Sequence, residues 1–285
     1  MFNRRSNFEI KTPAQFDLMR AAGLVVADTL SLLRESLTPG MTTRELDEIA
    51  RDSISSAGAK PSFLGYHGYP AVVCVSVNDE IVHGIPGSRV INDGDVVSID
   101  CGAIVEGWHG DAALSVVVGE GSPDVLELLR VTEEALWRGL AQAVVGGRLS
   151  DIGHAIETCV HEAGSYGIVE EYVGHGIGTS MHMEPSVPNY GEPGHGPQLV
   201  TGMALAVEPM VNLGGRQTRV LDDDWTVVTL DGRWSAHFEH TVAITEQGPW
   251  VLTAHDGGAD RFGQLGVPSP SGTPASGGTP PPSRS

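Results

Sequence analysis

The stretch "SIDCGAIVEGWHGDAALSVVVG", residues 98–119, decides the fold of this chain. Two mainly apolar runs flank Glu106-Gly107, the one place in the stretch where a tight two-residue turn is natural. The pattern therefore predicts a β-hairpin. Because side chains alternate between the two faces of a strand, Asp100 and Asp111 share one face of this hairpin as a diagonal pair, with backbones roughly 7–8 Å apart.

Two aspartates on one face of a buried hairpin need a compensating group. A like-charged pair about 4 Å apart repels by roughly 4 kcal/mol at an effective dielectric near 20, and such a pair normally retains one proton. An Arg or Lys, a shared proton or a metal ion would each relieve the repulsion, and the nearest basic residues in sequence are Arg89 and Arg130. All three remain open here, as does the simpler interpretation of two solvated aspartates.

Length and composition restrict the class of protein. The 285 residues suffice for one large domain or two small ones with a real core. With 17 basic and 36 acidic residues the formal net charge is −19, which argues against nucleic acid as a partner. The chain has neither an apolar run of 18 residues nor a secretory leader, so we expect a cytoplasmic protein that does not span a membrane. The three cysteines lack C-x-x-C spacing, so we expect free thiols at Cys74, Cys101 and Cys159.

Helix start signals divide the chain into two similar halves. Four helices are predicted from signals at Thr12-Pro13, Thr42, Ser122-Pro123 and Ser150 or Asp151. Strand-like stretches follow each helix pair: "AVVCVSV" and the hairpin in the first half, then "MALAVEPMV", "WTVVT" and "SAHFEHTVAIT" in the second. The order ααββ therefore occurs twice and predicts an α+β fold with two similar halves.

A change of composition marks the C-terminal end. From Val267 onward, 14 of 19 residues are Pro, Gly or Ser, a composition that buries too little apolar surface to fold. We therefore predict a leader over residues 1–11, one folded domain over residues 12–255 and a disordered tail over residues 256–285.

Three further ligand-type residues stand in unusual surroundings in the second half. His175 lies between two glycines, and Glu208 and Glu239 each interrupt an apolar strand-like run. With Asp100 and Asp111 they supply four carboxylates and one imidazole, a formal charge of −4 that two divalent cations would neutralise. An oxygen-rich set with one imidazole suits Mn²⁺ or Fe²⁺ better than a thiolate-type zinc site. Two such ions about 3.5–4 Å apart form a known hydrolytic arrangement.

The motifs, in order, resemble those of type I methionine aminopeptidases of the pita-bread metallopeptidase family. They are "SVNDEIVHGIPG", "VVSIDCGAIVEGWHGD", "VGHGIG", "MHMEPSVPNYG", "MALAVEPMVN" and "FEHTVAIT", and the resemblance covers about residues 10–250. It implies the pita-bread fold, an α+β arrangement of two pseudo-symmetric ααββ halves around a central antiparallel sheet. It also implies that the folded domain is catalytic and removes the N-terminal methionine of nascent polypeptides with a small second residue, by attack of a water bridging two metal ions. Mn, Fe, Co and Zn are the candidate ions.

The resemblance also implies a role for each ligand candidate. Asp100 would chelate one ion, and His175 and Glu208 would bind the other. Asp111 and Glu239 would bridge both ions. Glu208 would also handle the proton of the bridging water.

Substrate contacts follow from the same resemblance. His83 would contact the nitrogen of the scissile bond and His182 would steady the developing oxyanion, roles that a neutral imidazole can fill at neutral pH. The methionine side chain would lie among apolar, aromatic and sulfur-containing residues, a lining suited to a thioether. These residues are Phe63, Tyr66, Tyr69, Cys74, Met181 and Trp225.

The chain departs from the family pattern at three positions. Phe63 stands where a cysteine is usual, Met181 where phenylalanine is common, and His237 where glutamine is usual. The departures concern the shape of the pocket. The 31 residues from Glu208 to Glu239 are too few for the helical insertion of type II enzymes, so type I is the expected sub-class.

Two other functions remain open. A proline-directed peptidase of the same fold would use the same five ligands, although the missing N-terminal domain and the "EPMVN" context argue against it. A pita-bread protein that serves as a non-catalytic binding module would have lost ligands, and all five are retained here. We expect a monomer whose partner is the nascent N-terminus, and transient contact with the ribosome is left open.

Overall fold

The structure, a computed structural model, describes residues 8–270. Within this range there are five α-helices, α1 (Pro13–Ser36), α2 (Thr43–Ser56), α3 (Pro123–Leu140), α4 (Leu149–Ala163) and α5 (Ala259–Leu265), and a short 3-10 helix (Tyr66–Gly68). The first half contains the strands β1 (Lys60–Pro61), β2 (Val73–Val77), β3 (Glu80–Val82), β4 (Val96–Val105) and β5 (Trp108–Val117). The second half contains β6 (Gly167–Ile168), β7 (Gly174–Gly176), β8 (Met183–Val187), β9 (Ala204–Val207), β10 (Met210–Asn212), β11 (Thr218–Val220), β12 (Val227–Thr229), β13 (Ser235–His237), β14 (Glu239–Thr245) and β15 (Gly248–Val251).

Capping boxes fix the starts of the first two helices as predicted. The N–H of Thr12 donates to the Gln15 side chain at 2.8 Å, and the N–H of Thr42 donates to Glu45 at 2.7 Å. In both boxes the threonine hydroxyl accepts the reciprocal bond. Helix α4 begins at Leu149, one residue before the first of the two predicted start signals, Ser150 and Asp151. Among the described residues, no helix has the length and apolar character needed to cross a membrane.

The hairpin of β4 and β5 has the predicted register. Asp111 lies opposite Gly102, and Asp100 lies opposite Ala113. Glu106 and Gly107 have φ angles of 50° and 84°, the positive values that a two-residue turn of this kind requires at both central positions. The two aspartates therefore share a face.

All paired strands are antiparallel, and most belong to one nine-stranded sheet. Its order is β1-β4-β5-β14-β9-β7-β8, with β2 paired to β4 and β15 paired to β14. Helices α1 and α2 share a hydrophobic core with β2 and β4, whereas α3 and α4 share another with β9 and β14. This confirms the α+β prediction of two helix pairs around a central antiparallel sheet.

Two apolar runs that the sequence suggested as single strands are each interrupted. Glu208 and Pro209 separate β9 from β10, and Phe238 separates β13 from β14. Strands β9 and β14 pair in the large sheet, whereas β10 and β13 pair in a three-stranded sheet with β6. Glu208 and Glu239 therefore lie where two neighbouring strand segments pass from one sheet to the other.

The predicted boundary of the tail is corrected. Residues 259–265 form α5, and its Phe262 is fully buried against Trp137, with ring centroids 5.6 Å apart. One aromatic anchor thus joins this segment to the folded domain, and the change in composition begins only at Val267. Residues 1–7 of the predicted leader and 271–285 of the predicted tail lie outside the described range.

Candidate active site

One cavity of about 250 Å³ brings together every site residue that the sequence predicted. The five ligand candidates in its wall are Asp100, Asp111, His175, Glu208 and Glu239. The eight predicted substrate contacts in its wall are Phe63, Tyr66, Tyr69, Cys74, His83, Met181, His182 and Trp225. His67 also lines the cavity and was not predicted, although its place beside Tyr66 in "GYHGY" is a signal that could have revealed it. The role of each residue stays a prediction at this point.

Strand register places the carboxylates next to one another. Ala113 of β5 lies opposite Asp100 on one side and opposite Glu239 of β14 on the other. The side chains of Asp100 and Asp111 are within hydrogen-bonding reach of each other. The Asp111 backbone also exchanges two hydrogen bonds with the Thr241 hydroxyl, at 3.1 and 2.8 Å, which hold β5 against β14.

His175 enters the cluster from the buried strand β7. Gly174 and Gly176 flank it, and a side chain at either glycine would collide with a backbone carbonyl, of Ala206 and Glu184 respectively. The close approach expected from these glycines is therefore confirmed. The Nδ1 of His175 lies 3.0 Å from the Gly176 carbonyl, so this nitrogen donates and Nε2 keeps its lone pair.

Burial controls the protonation of the cluster. It raises the pKa of Asp100 to about 7. It also raises the pKa of Asp111, and the negative charge of Asp100 raises that pKa further. The pKa values of Glu208 and Glu239 rise for the same two reasons, burial first and then the neighbouring carboxylates. Burial, with a contribution from His182, lowers the pKa of His175 to about 3, so this imidazole is neutral.

The cluster fits divalent cations. Within residues 8–270, Asp100 Oδ1, Asp111 Oδ1 and Glu239 Oε1 are buried without a hydrogen-bond partner. The basic side chains of that range within 4.0 Å of the carboxylates are neutral imidazoles, which excludes Arg or Lys as the compensator. Two groups of three residues have ligand atoms that all lie within 4.8 Å of one another. One group is Asp111, His175 and Glu239, and the other is Glu208, His237 and Glu239. Carboxylate oxygens and imidazole nitrogens are the donors that such cations prefer.

Two other histidines stand at the edge of the cluster. His83 adopts a left-handed backbone conformation, with φ of 61°, that is uncommon for a side chain of this size. Its ring packs on Tyr172 and Trp225, and burial lowers its pKa to about 4. The Nδ1 of His182 lies 2.9 Å from the Tyr66 hydroxyl, and the His182 ring lies 4.3 Å from that of His175 between centroids.

The rest of the cavity is apolar. Phe63, Tyr69, Cys74 and Met181 are buried and form one cluster with the partly buried Tyr66, Ile85 and Trp225. The Tyr69 hydroxyl donates to backbone carbonyls of Val73 and Gly84, at 3.1 and 3.0 Å, so the ring but not the hydroxyl is available to the cavity. The wall therefore suits an apolar side chain of moderate length.

A buried cluster of carboxylates and imidazoles beside an apolar cavity is the arrangement expected of a metal-dependent hydrolase. Residues 17–246 match the model of metallopeptidase family M24. Methionine aminopeptidase 1 of Bacillus subtilis (strain 168) is 54% identical over 243 residues, which cover 85% of this chain and 98% of the relative. Methionine aminopeptidase 1 of Mycobacterium tuberculosis is 53% identical over 249 residues, covering 85% and 94%. The chain therefore belongs to metallopeptidase family M24 and, within it, to the methionine aminopeptidases.

Solved structures confirm the pita-bread fold. A methionine aminopeptidase from Thermotoga maritima superposes with a TM-score of 0.85 at 43% identity, over 86% of this chain and 99% of its own. A prolidase from Pyrococcus furiosus superposes with a TM-score of 0.69 at 23% identity, over 86% of this chain and 65% of its own. The prolidase likeness shows the shared fold alone.

Proposed function

We propose that this protein removes the N-terminal methionine of newly made polypeptides whose second residue is small. The observation that carries the proposal is one cavity in which three carboxylate oxygens, without a hydrogen-bond partner in the described part of the chain, meet an apolar, sulfur-containing wall. The high identity to methionine aminopeptidases supports it, and neither a proline-directed peptidase nor a binding module is favoured.

Two divalent cations would be held by five side chains. His175 and Glu208 would bind one cation and Asp100 the other, while Asp111 and Glu239 would bridge the two. The four carboxylates of the cavity wall carry a formal charge of −4, which two divalent cations would neutralise, and this supports a pair of ions. When bound, the cations would polarise the scissile carbonyl and lower the pKa of water. Mn, Fe, Co and Zn all accept such a donor set.

The chain's own residues would orient the substrate and move the proton. The raised pKa of Glu208 suits a carboxylate that accepts a proton from the attacking water. A Tyr66 hydroxyl that donates to His182 Nδ1 would leave the proton of that imidazole on Nε2, from which it can donate to the developing oxyanion. His83, neutral because burial lowers its pKa, would contact the nitrogen of the scissile bond.

The place of action follows from the substrate. A newly made N-terminus is met in the cytoplasm, as the chain emerges, so only transient contact with the ribosome would be needed. One chain supplies every residue of the cavity, and a monomer therefore suffices.

A peptide panel tests the specificity. Initial rates would be measured for Met-Ala-Ser, Met-Leu-Ser, Leu-Ala-Ser, Ala-Pro-Ser and N-acetylated Met-Ala-Ser at fixed Mn²⁺ or Co²⁺. A bulky second residue would displace the scissile carbonyl, and misplacement of about 1 Å costs on the order of 100-fold in rate. Met-Ala-Ser should be fastest and the acetylated peptide should not react. Equal rates for Leu-Ala-Ser would contradict methionine specificity, and preference for Ala-Pro-Ser would favour the proline-directed peptidase.

Metal add-back separates catalysis from mere binding. Protein stripped with a chelator should not turn over Met-Ala-Ser, and addition of Mn²⁺, Fe²⁺, Co²⁺ or Zn²⁺ singly should restore the rate to different degrees. The ion that gives the highest kcat/KM at low concentration identifies the preferred metal. A stripped protein with full activity would refute the metallopeptidase mechanism.

A further inference from the structure

His237 is buried beside the carboxylate cluster and is held there by its backbone. Its side chain is 1% exposed. Its N–H donates to the Ser115 hydroxyl at 2.9 Å, and that hydroxyl donates to the His237 carbonyl at 2.9 Å. Across the small sheet His237 pairs with Met210, two residues after Glu208. The position of the ring is therefore fixed by two neighbouring strands, β5 and β10.

The free nitrogen of this ring faces Glu208. His237 Nε2 has no hydrogen-bond partner among the described residues and lies 3.7 Å from Glu208 Oε2. This is about 0.7 Å longer than an ordinary N–H···O bond of roughly 3.0 Å, a gap that a small side-chain movement closes. The other oxygen of Glu208, Oε1, lies 3.6 Å from His175 Nε2. The carboxylate thus stands between two imidazoles, with one oxygen turned to each.

The two imidazoles are not equivalent. His175 donates from Nδ1 to the Gly176 carbonyl, so its Nε2 offers a lone pair to a cation. His237 Nε2 faces a carboxylate oxygen, which accepts, so a hydrogen bond between the two groups places the N–H on Nε2. A buried N–H without a partner is unfavourable, and Glu208 Oε2 is the acceptor that this N–H faces.

We infer that His237 is a positioning residue that donates from Nε2 to Glu208 Oε2 and thereby keeps Oε1 turned to the metal site. Carboxylate ligands are commonly oriented by such outer hydrogen bonds, whose loss lowers metal affinity or activity by about 10–100-fold. The inference rests on the proposed metal site, but it does not depend on which peptide is cleaved.

Substitutions at position 237 test the donated hydrogen bond. His237→Gln keeps a side-chain N–H donor, His237→Asn is too short to reach Glu208, and His237→Leu removes the donor. His240→Leu is the matched control, because His240 lies on the adjoining strand β14 and its Nδ1 bonds the Thr253 hydroxyl at 2.9 Å. Mn²⁺ and Co²⁺ affinities of the chelator-stripped full chain would be measured by calorimetry, with melting temperatures as the check on folding.

The expected order of affinities is specific. His237→Leu and His237→Asn should bind metal about 10–100-fold more weakly than wild type, whereas His237→Gln and His240→Leu should remain within about threefold. At saturating metal the weak variants should lose kcat for Met-Ala-Ser with little change in KM. If His237→Leu does not fold, the pair of His237→Asn and His237→Gln decides alone.

Two results would overturn the inference. Wild-type affinity in folded His237→Asn would show that the contact does not position Glu208. Equal loss in His237→Gln and His237→Asn, with a changed visible absorption spectrum of bound Co²⁺, would make His237 a ligand in its own right. A wild-type protein that binds no divalent cation would instead refute the proposed function, and this inference with it.

Discussion

The two faces of the hairpin β4–β5 meet opposite environments. On one face Ile99, Cys101 and Ala112 are buried in the apolar core shared with α1 and α2. On the other face Asp100 and Asp111 carry buried carboxylate oxygens without a hydrogen-bond partner in the described residues. Adjacent residues of one strand therefore have opposite effects on the free energy of unfolding. Burial of the apolar face stabilises the fold, whereas burial of the carboxylates is unfavourable unless a cation compensates their charge.

This difference separates the determinants of fold and function within a single hairpin. Burial of Ile99 removes apolar surface from water and requires no partner of particular chemistry. Burial of Asp100 requires a compensating charge, because removal of this carboxyl from water disfavours its charged form and raises its pKa to about 7. Substitutions on the two faces should consequently affect different measurements.

The largest effect is expected for Asp111→Ala. Removing a proposed bridge should disturb both cations, and metal ions contribute several kcal/mol to hydrolysis, so kcat/KM should fall on the order of 1000-fold. The free energy of unfolding of the stripped protein should not fall, because a repelled, buried carboxylate is removed. Peptide turnover and urea unfolding measure the two quantities. Activity close to wild type would exclude Asp111 from the metal site.

Ile99→Ala should affect the other face only. Truncation of a fully buried isoleucine lowers the free energy of unfolding by about 2–5 kcal/mol. The value of kcat/KM per folded molecule should stay within about threefold of wild type, because the side chain points away from the cavity. Urea unfolding and active-site titration check this. A large loss of kcat/KM without loss of stability would mean that the two faces are not independent.

Metal addition should stabilise the protein more at pH 8 than at pH 6. The pKa of Asp100 is about 7 in the folded chain, and its ordinary value is 3.8. At pH 6 the folded state therefore holds more protons than the unfolded state, and it loses them as the pH rises through about 7. Rising pH across this range therefore destabilises the stripped protein, whereas cation binding, which needs carboxylates, becomes tighter.

The measurement is the melting temperature without Mn²⁺ and at one fixed Mn²⁺ concentration, the same at both pH values. At 100 times its dissociation constant the ion should add about 2.7 kcal/mol to the free energy of unfolding. Asp100→Asn should flatten the pH dependence of the stripped protein. A smaller thermal shift at pH 8 than at pH 6 would contradict the assignment of the carboxylates as ligands.

Local features of the chain could be predicted from sequence, and features set by distant pairing could not. The register of the hairpin followed from the turn at Glu106-Gly107, because a two-residue loop fixes every opposed pair. The breaks at Glu208 and Phe238 were missed because the flanking runs are apolar on both sides, and only the pairing of distant strands shows where one sheet ends.

The site shows the same division. Asp100 and Asp111 were predicted as neighbours from alternation along the hairpin alone. The contact of Glu208 with His175 depends on β9 lying beside β7, and these roles came only from the resemblance. Helix α5 escaped prediction because Phe262 is its one buried residue, which is too few for an apolar periodicity to show in the sequence.

The smallest effects are expected for substitutions of two tyrosines that line the cavity. One should change catalysis and the other stability, as for the two faces of the hairpin. The Tyr66 hydroxyl bonds His182 Nδ1 at 2.9 Å, whereas the Tyr69 hydroxyl bonds the backbone carbonyls of Val73 and Gly84. Tyr66→Phe should release the preferred tautomer of His182 and lower kcat about tenfold, equivalent to about 1.4 kcal/mol. Tyr69→Phe removes the hydroxyl that donates to the Val73 and Gly84 carbonyls, of which Gly84 keeps the Val75 N–H at 2.9 Å, and should lower the free energy of unfolding by about 1 kcal/mol with kcat unchanged. Turnover of Met-Ala-Ser, urea unfolding and the ¹⁵N chemical shifts of His182 provide the test. Equal kcat in the two variants, with the His182 shifts unmoved, would show that Tyr66 lines the cavity without orienting the imidazole.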